Sequence, residues 1–212
     1  MQSLASRGIG VHMASFNPFA PAFGSRFCKE RLISPRYQDK TDYNKFFLEQ
    51  VRKTHYDLLL PCDDVSVIYL SEEKERFDSY VRLVLPDHKT VLSVAYKDNL
   101  ARFAKAHEIP IPKTFCPEGI SEYEGLSREL EGEVVVVKGV RGAGARQIRY
   151  AQRGEIEQAA WDILKSGLLH NPRLPVLQEY VPGVNRTAYL LCDHGKILAF
   201  VGFQHLRTYP IT

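Results

Sequence analysis

The sequence predicts an α/β protein, an open parallel sheet followed by an α+β domain. Three observations carry that prediction. Short apolar strands alternate with amphipathic helices over residues 1–90, as a parallel sheet with helix-covered faces requires. Over residues 91–212 strands come in neighbouring pairs joined by short loops, the mark of a mixed unit. The 212 residues are 44% hydrophobic and 25% charged, enough apolar material to build a core in one large domain or two small ones.

Gly8 to Ala14 reads as a strand entered through glycine, and Glu30-Arg31-Leu32-Ile33-Ser34 as a second. Residues from about Asp42 to Thr54 have helical spacing, with Phe46, Phe47 and Val51 on one face and Gln50 at its edge. Tyr56-Asp57-Leu58-Leu59-Leu60-Pro61 reads as a buried strand stopped by proline, and a helix is expected to start near Val65. Asp63 and Asp64 stand just past that strand. Open sheets bind ligands outside the carboxyl ends of their strands, so these two residues are either site residues or, for Asp64, a helix cap. Only Met1 to Arg7 precede the first strand, where a doubly wound unit would begin with a further strand and a glycine turn.

The second unit opens near Val91. Lys97 to His107 has helical periodicity through Leu100, Phe103 and Ala104 until Ile109-Pro110-Ile111-Pro112 ends it. Glu133 to Lys138 is a strongly apolar strand, and Ile148-Arg149-Tyr150 its expected partner. A helix over Glu155 to Leu164 and a strand over Val176 to Val181 follow. Ala188 to Cys192 and Ile197 to Phe203 form a hairpin turned at Asp193-His194-Gly195-Lys196.

Composition excludes several classes of function. A net charge of +3 with dispersed lysines and arginines offers no basic block for nucleic acid, and no strand pair interleaves aromatic and basic residues. The 4 cysteines and 7 histidines show no metal-ligand spacing. No run approaches the roughly 18 apolar residues of a membrane span, and the start lacks a secretory pattern. Cytoplasmic location is the default expectation.

Four places could carry chemistry. The first is Lys138, delivered by a strand into Gly139-Val140-Arg141-Gly142-Ala143-Gly144-Ala145-Arg146. Gly142, Ala143 and Gly144 let backbone N–H groups approach phosphate oxygens, and Lys138 adds a mobile positive charge; a surface hairpin with a lysine at its edge is the plainer alternative. Lys97 stands near a helix start, where the dipole also favours an anion, although a solvated lysine would look the same. Glu179, Tyr180 and Val181 could read adenine through backbone groups and one carboxylate, with Asn185 in reach of a ribose hydroxyl; a strand end with a tight turn at Pro182-Gly183 is the alternative. Arg207 could pair with a transferring phosphoryl group or a substrate carboxylate, or form a rim salt bridge.

Taken in order, these segments resemble the ATP-grasp superfamily, and within it the carbamoyl-phosphate-synthase-like members. The likeness is carried by Tyr56 to Asp64, by Lys97-Asp98-Asn99-Leu100 through Pro112, and by Val135-Val136-Val137-Lys138 with Gly142-Ala143-Gly144. Val176 to Gly183 and His205-Leu206-Arg207-Thr208-Tyr209-Pro210 complete it. The resemblance implies a Rossmann-like pre-ATP-grasp domain over residues 1–90 and a partial ATP-grasp domain over residues 91–212. Within the latter it implies a lid subdomain over about 113–175 and a second subdomain starting at about 176. It implies ATP as cofactor, with Lys97 and Lys138 on the phosphate side and Glu179, Tyr180 and Val181 as the adenine hinge. It also implies a ligase that activates an unidentified carboxylate as an acyl phosphate for attack by an amine or similar nucleophile, with magnesium neutralising the phosphates.

Several positions depart from the family pattern. Gly139 stands where proline usually follows the lysine, Tyr96 where aspartate often precedes the helix lysine, and Asn185 and Tyr189 where acids are frequent. The glycine-rich stretch and the later acidic metal ligands that follow in the family have no counterpart before Thr212, so no metal ligand is assigned. The chain therefore reads as truncated at its C-terminus and at its N-terminus, and as lacking full activity alone. The alternative is a non-catalytic nucleotide-binding or scaffold module. An unfinished sheet edge would invite a partner chain or a second copy in either case.

Overall fold

The structure, a computed structural model, describes residues 1–142, 147–166 and 173–206. Two units are distinguished by their contacts, residues 1–110 with 139–147 and residues 111–138 with 148–212.

The first unit begins with a single helical turn, α1 (Gln2–Ala5), and Gly8 then takes a φ of +78° to release the chain. Strand β1 (His12–Ser15) is therefore shorter than the stretch from Gly8 that the sequence suggests. It pairs in parallel with β2 (Glu30–Ile33), His12 opposite Glu30 and Ser15 opposite Ile33. Helix α2 (Lys40–Lys53) is capped by Asp39, whose side chain accepts the Asp42 N–H at 2.9 Å. Its buried face carries Tyr43, Phe47, Leu48 and Val51, a spacing of 4, 1 and 3 residues that keeps one stripe inward. That stripe packs on Leu70, Phe77, Val81 and Leu83 to form the core of this unit.

Strand β3 (Leu58–Leu59) pairs in parallel with the equally short β4 (Arg82–Leu83). The run Tyr56 to Pro61 is thus not the buried strand its apolar residues suggest. Leu58 and Leu60 are 46% and 58% exposed, because a single two-residue partner covers so little of the run. Between these strands lie α3 (Asp64–Glu72) and α4 (Lys74–Phe77). Asp63, not Asp64, caps α3: its Oδ1 accepts the N–H groups of Val65 and Ser66, both at 3.0 Å. Asp64 is the first helical residue. Two further helices, α5 (His88–Ala95) and α6 (Lys97–Ala106), follow.

In the second unit a four-stranded antiparallel sheet has the order β5 (Thr114–Phe115), β8 (Val176–Glu179), β6 (Val134–Lys138), β7 (Ile148–Gln152). Helix α7 (Tyr123–Ser127) precedes β6, and α8 (Ile156–Lys165) follows β7. Ile156, Ala159, Ala160 and Ile163 of α8 pack with Val135, Val137, Leu177 and Tyr123 in one cluster. The alanines let the helix approach the sheet closely. Tyr123 is fully buried and satisfies its hydroxyl by donating to the Pro175 carbonyl at 2.6 Å.

Strands β9 (Arg186–Asp193) and β10 (Lys196–Gln204) form a separate antiparallel ribbon, turned as the sequence predicts at His194 and Gly195, both with positive φ. Except for Thr187, every residue of the ribbon is exposed, including Tyr189, Leu190, Leu191, Phe200 and Val201. A two-stranded ribbon of this kind holds itself together mainly by its ladder. No helix among the described residues is long and apolar enough to cross a membrane.

Candidate functional site

Lys138 ends β6 because three buried valines, Val135 to Val137, anchor the strand behind it. Its register places it opposite Val176 on β8 and Ile148 on β7. The Lys138 ammonium donates to Gln178 Oε1, and Gln178 Nε2 donates in turn to Thr114 Oγ1 at 2.7 Å. A relay across β6, β8 and β5 thus fixes the lysine at the end of its strand. Gln178 and Thr114 were not legible as site residues, since their partners lie 40 and 64 positions away in sequence.

The chain turns at once into the glycine loop. Gly139 N–H donates to the Gln147 carbonyl at 2.8 Å, closing the loop base. Lys97, the first residue of α6, holds the segment from the other side: its backbone N–H donates to the Val140 carbonyl and its ammonium to the Gly142 carbonyl, each at 3.0 Å. Gly142 has a φ of +99°, which favours glycine there. The Arg141 guanidinium lies 5.3 Å from the centre of the Tyr96 ring, a cation–π contact that gives this departure from the usual aspartate a physical role. Burial pushes the Lys97 ammonium below the ordinary lysine pKa, and the nearby Asp64 carboxylate opposes that shift. Lys97 and Gly142, singled out separately in the sequence, are therefore in direct contact. Ala143 and Gly144 lie outside the described residues.

The other departure, Gly139 in place of proline, also has a reason. A Cβ built on Gly139 would lie 2.4 Å from Gln147 Oε1.

Glu179 closes β8. Its N–H donates to the Lys113 carbonyl at 3.0 Å and its Oε1 accepts the Lys113 N–H at 2.8 Å. One carboxylate oxygen is thus committed to the backbone. Tyr180 and Val181 follow the strand, 47% and 59% exposed, with the Tyr180 ring edge-on to Tyr150 at 5.8 Å. Asn185 presents an exposed side chain, while its carbonyl accepts the His205 N–H at 2.9 Å. Arg207 lies outside the described residues. Among the described residues no group of three His, Cys, Asp or Glu side chains could hold a metal ion.

No protein-family profile and no curated protein sequence matches this chain. Solved structures do match by fold. An ADP complex of N5-carboxyaminoimidazole ribonucleotide synthetase superposes with a TM-score of 0.69 at 9% identity, over 99% of this chain and 51% of that one. L-amino acid ligase from Bacillus licheniformis gives 0.65 at 14% identity, over 94% and 45%. The biotin carboxylase domain of 2-oxoglutarate carboxylase from Hydrogenobacter thermophilus, solved with MgADP and bicarbonate, gives 0.64 at 13%, over 88% and 42%. The chain spans about half the length of these structures or less. Identities this low speak for fold alone, and the fold they identify is the ATP-grasp fold of the biotin carboxylase and carboxyaminoimidazole ribonucleotide synthetase type.

Proposed function

We propose that this chain is the nucleotide-binding part of an ATP-dependent ligase that activates a carboxylate as an acyl phosphate. The observation that carries the reading is the double hold of Lys97 on the glycine loop that follows Lys138. The helix-start lysine and the glycine-rich segment it holds are donors suited to phosphate oxygens, and the strand-end lysine is a donor of the same kind. In this reading Lys97, Lys138 and the Gly142, Ala143 and Gly144 backbone take the phosphates. Glu179, Tyr180 and Val181 take the adenine edge and Asn185 the ribose. Arg207 is assigned to pair with the transferring phosphoryl group or the acid.

The carboxylate oxygen would attack the γ-phosphorus, the bond to the β-phosphate oxygen would break, and ADP would leave. An amine would then attack the acyl carbon and expel phosphate. The lysines neutralise charge on the phosphate oxygens, and ATP supplies the leaving group. The described residues do not fit a magnesium site, so no step is assigned to the metal.

The exposed β9–β10 ribbon favours a second reading, a nucleotide-binding scaffold whose ribbon pairs with a partner chain or a second copy. Its home in either reading is the cytoplasm. Calorimetry with ATP and magnesium and phosphate release with candidate acids and amines test the first reading, and light scattering tests the second. ATP binding with negligible turnover is expected of the nucleotide-binding part, and robust ligation by the chain alone overturns its reading as a part. A clean monomer over a wide concentration range counts against pairing through the ribbon. A well-folded chain that binds no ATP removes both.

A further inference from the structure

We propose that Gln147 is a positioning residue for the phosphate loop, acting by filling the space over Gly139. The proposal rests on the reading of this loop as the phosphate cradle. Glycine at 139 is not explained by backbone conformation, since Gly139 is absent from the glycines with positive φ. It is explained by room. A Cβ there would meet Gln147 Oε1 at 2.4 Å, Cβ at 2.9 Å and Cδ at 3.0 Å, distances that force a displacement. The same amide reaches the second glycine, with Oε1 3.5 Å from a Cβ built on Gly142.

One side chain therefore lies where a Cβ on either of the glycines that bracket Val140 and Arg141 would point. The carbonyls of Val140 and Gly142 are those held by Lys97, so the same short segment is tied by two hydrogen bonds and crowded by the Gln147 side chain. Gln147 is 7% exposed, and its Oε1 is buried with no hydrogen-bond partner among the described residues. A buried, unpartnered amide oxygen opposes folding. An apolar residue of similar size would avoid that cost, so a glutamine here points to a requirement of the loop rather than of the core.

The test is a double-mutant cycle on the full chain: wild type, Gly139→Ala, Gln147→Ala and the pair, each measured by thermal melting and by calorimetry with ATP and with adenosine. Gly139→Ala is expected to weaken ATP about tenfold or more, as overpacking of a tight contact does. Adenosine, which lacks the phosphates, should change less than about twofold. Gln147→Ala alone should weaken ATP and spare adenosine, because the space over Gly139 is left empty. Adding it to Gly139→Ala should recover ATP affinity and melting, because the alanine methyl then takes up that space instead of clashing. If Gly139→Ala alone fails to fold, recovery of folding and ATP binding in the pair supports the same conclusion. The proposal is overturned if Gly139→Ala binds and melts like wild type, if the pair is no better than Gly139→Ala, or if adenosine weakens as much as ATP. A wild-type chain that binds no ATP removes the functional reading and the role of Gln147 with it. Wild-type binding with Gly139→Ala unaffected removes the role alone.

Discussion

Replacing Lys97 by methionine isolates the contribution of one ammonium, because the aliphatic stem and the helix start remain. The backbone N–H to Val140 is kept, and only the 3.0 Å bond from the ammonium to Gly142 is lost. Two effects on stability oppose each other. The lost hydrogen bond costs about 0.5–1.5 kcal/mol, while the variant no longer desolvates a charge. The net shift should stay under about 1 kcal/mol in urea unfolding. Nucleotide binding should respond far more. A charge-assisted hydrogen bond to phosphate is worth about 1.5–3 kcal/mol, and partial solvent screening favours the lower end, so the Kd for ATP should rise about tenfold. Titration calorimetry at neutral pH with a non-hydrolysable ATP analogue reads this directly. A folded Lys97→Met chain with wild-type affinity would refute the assignment of Lys97 to the phosphates.

Three further outcomes are expected. Because burial lowers the Lys97 pKa from 10.5, ATP affinity should decline on the alkaline side before an ordinary lysine would titrate, and Lys97→Met should lack that decline. In the same window the unfolded chain holds the extra proton, so this group's contribution to stability rises with pH, a slope that methionine also removes; melts across the alkaline range check both signs. Tyr123→Phe leaves the buried Pro175 carbonyl without its 2.6 Å donor and should cost about 1–3 kcal/mol in urea unfolding, with no change expected if the carbonyl finds another donor. Asp63→Ala removes the cap of α3 and the acceptor of the Tyr37 hydroxyl at 2.8 Å, costing about 1–2 kcal/mol, whereas Asp63→Asn should retain most of the cap; equal losses in the two variants would argue against capping.

Much of the local structure was legible because it is encoded by spacing within single elements. Of the face expected over Asp42 to Thr54, Phe47 and Val51 are buried in α2, and the helix expected over Glu155 to Leu164 is α8. The apolar run into Lys138 marks β6. Strand extent was less legible. Tyr56 to Pro61 has a strand's composition, yet only Leu58 and Leu59 are paired, since pairing depends on a partner elsewhere in the chain. The cap of α3 was misplaced by one residue for a similar reason, because Asp63 and Asp64 differ in backbone geometry rather than chemistry.

The candidate site divides along the same line. Lys97, Lys138 and Gly142 could be named from residue type and local setting. Their hydrogen bonds could not, for Lys97 meets Gly142 across 45 positions and Lys138 meets Gln178 across 40. Gln147 carried no local signal at all, since its importance lies in the volume it occupies over Gly139. By itself the sequence determined the helices α2, α3, α6 and α8, the hairpin turn, the lysine-ended strand and the glycines that follow it, each a short-range consequence of periodicity or backbone freedom. Tertiary structure alone decided how far each strand pairs, which aspartate caps, and how little room Gln147 leaves over position 139. Those outcomes depend on space and partners supplied by residues distant in the chain.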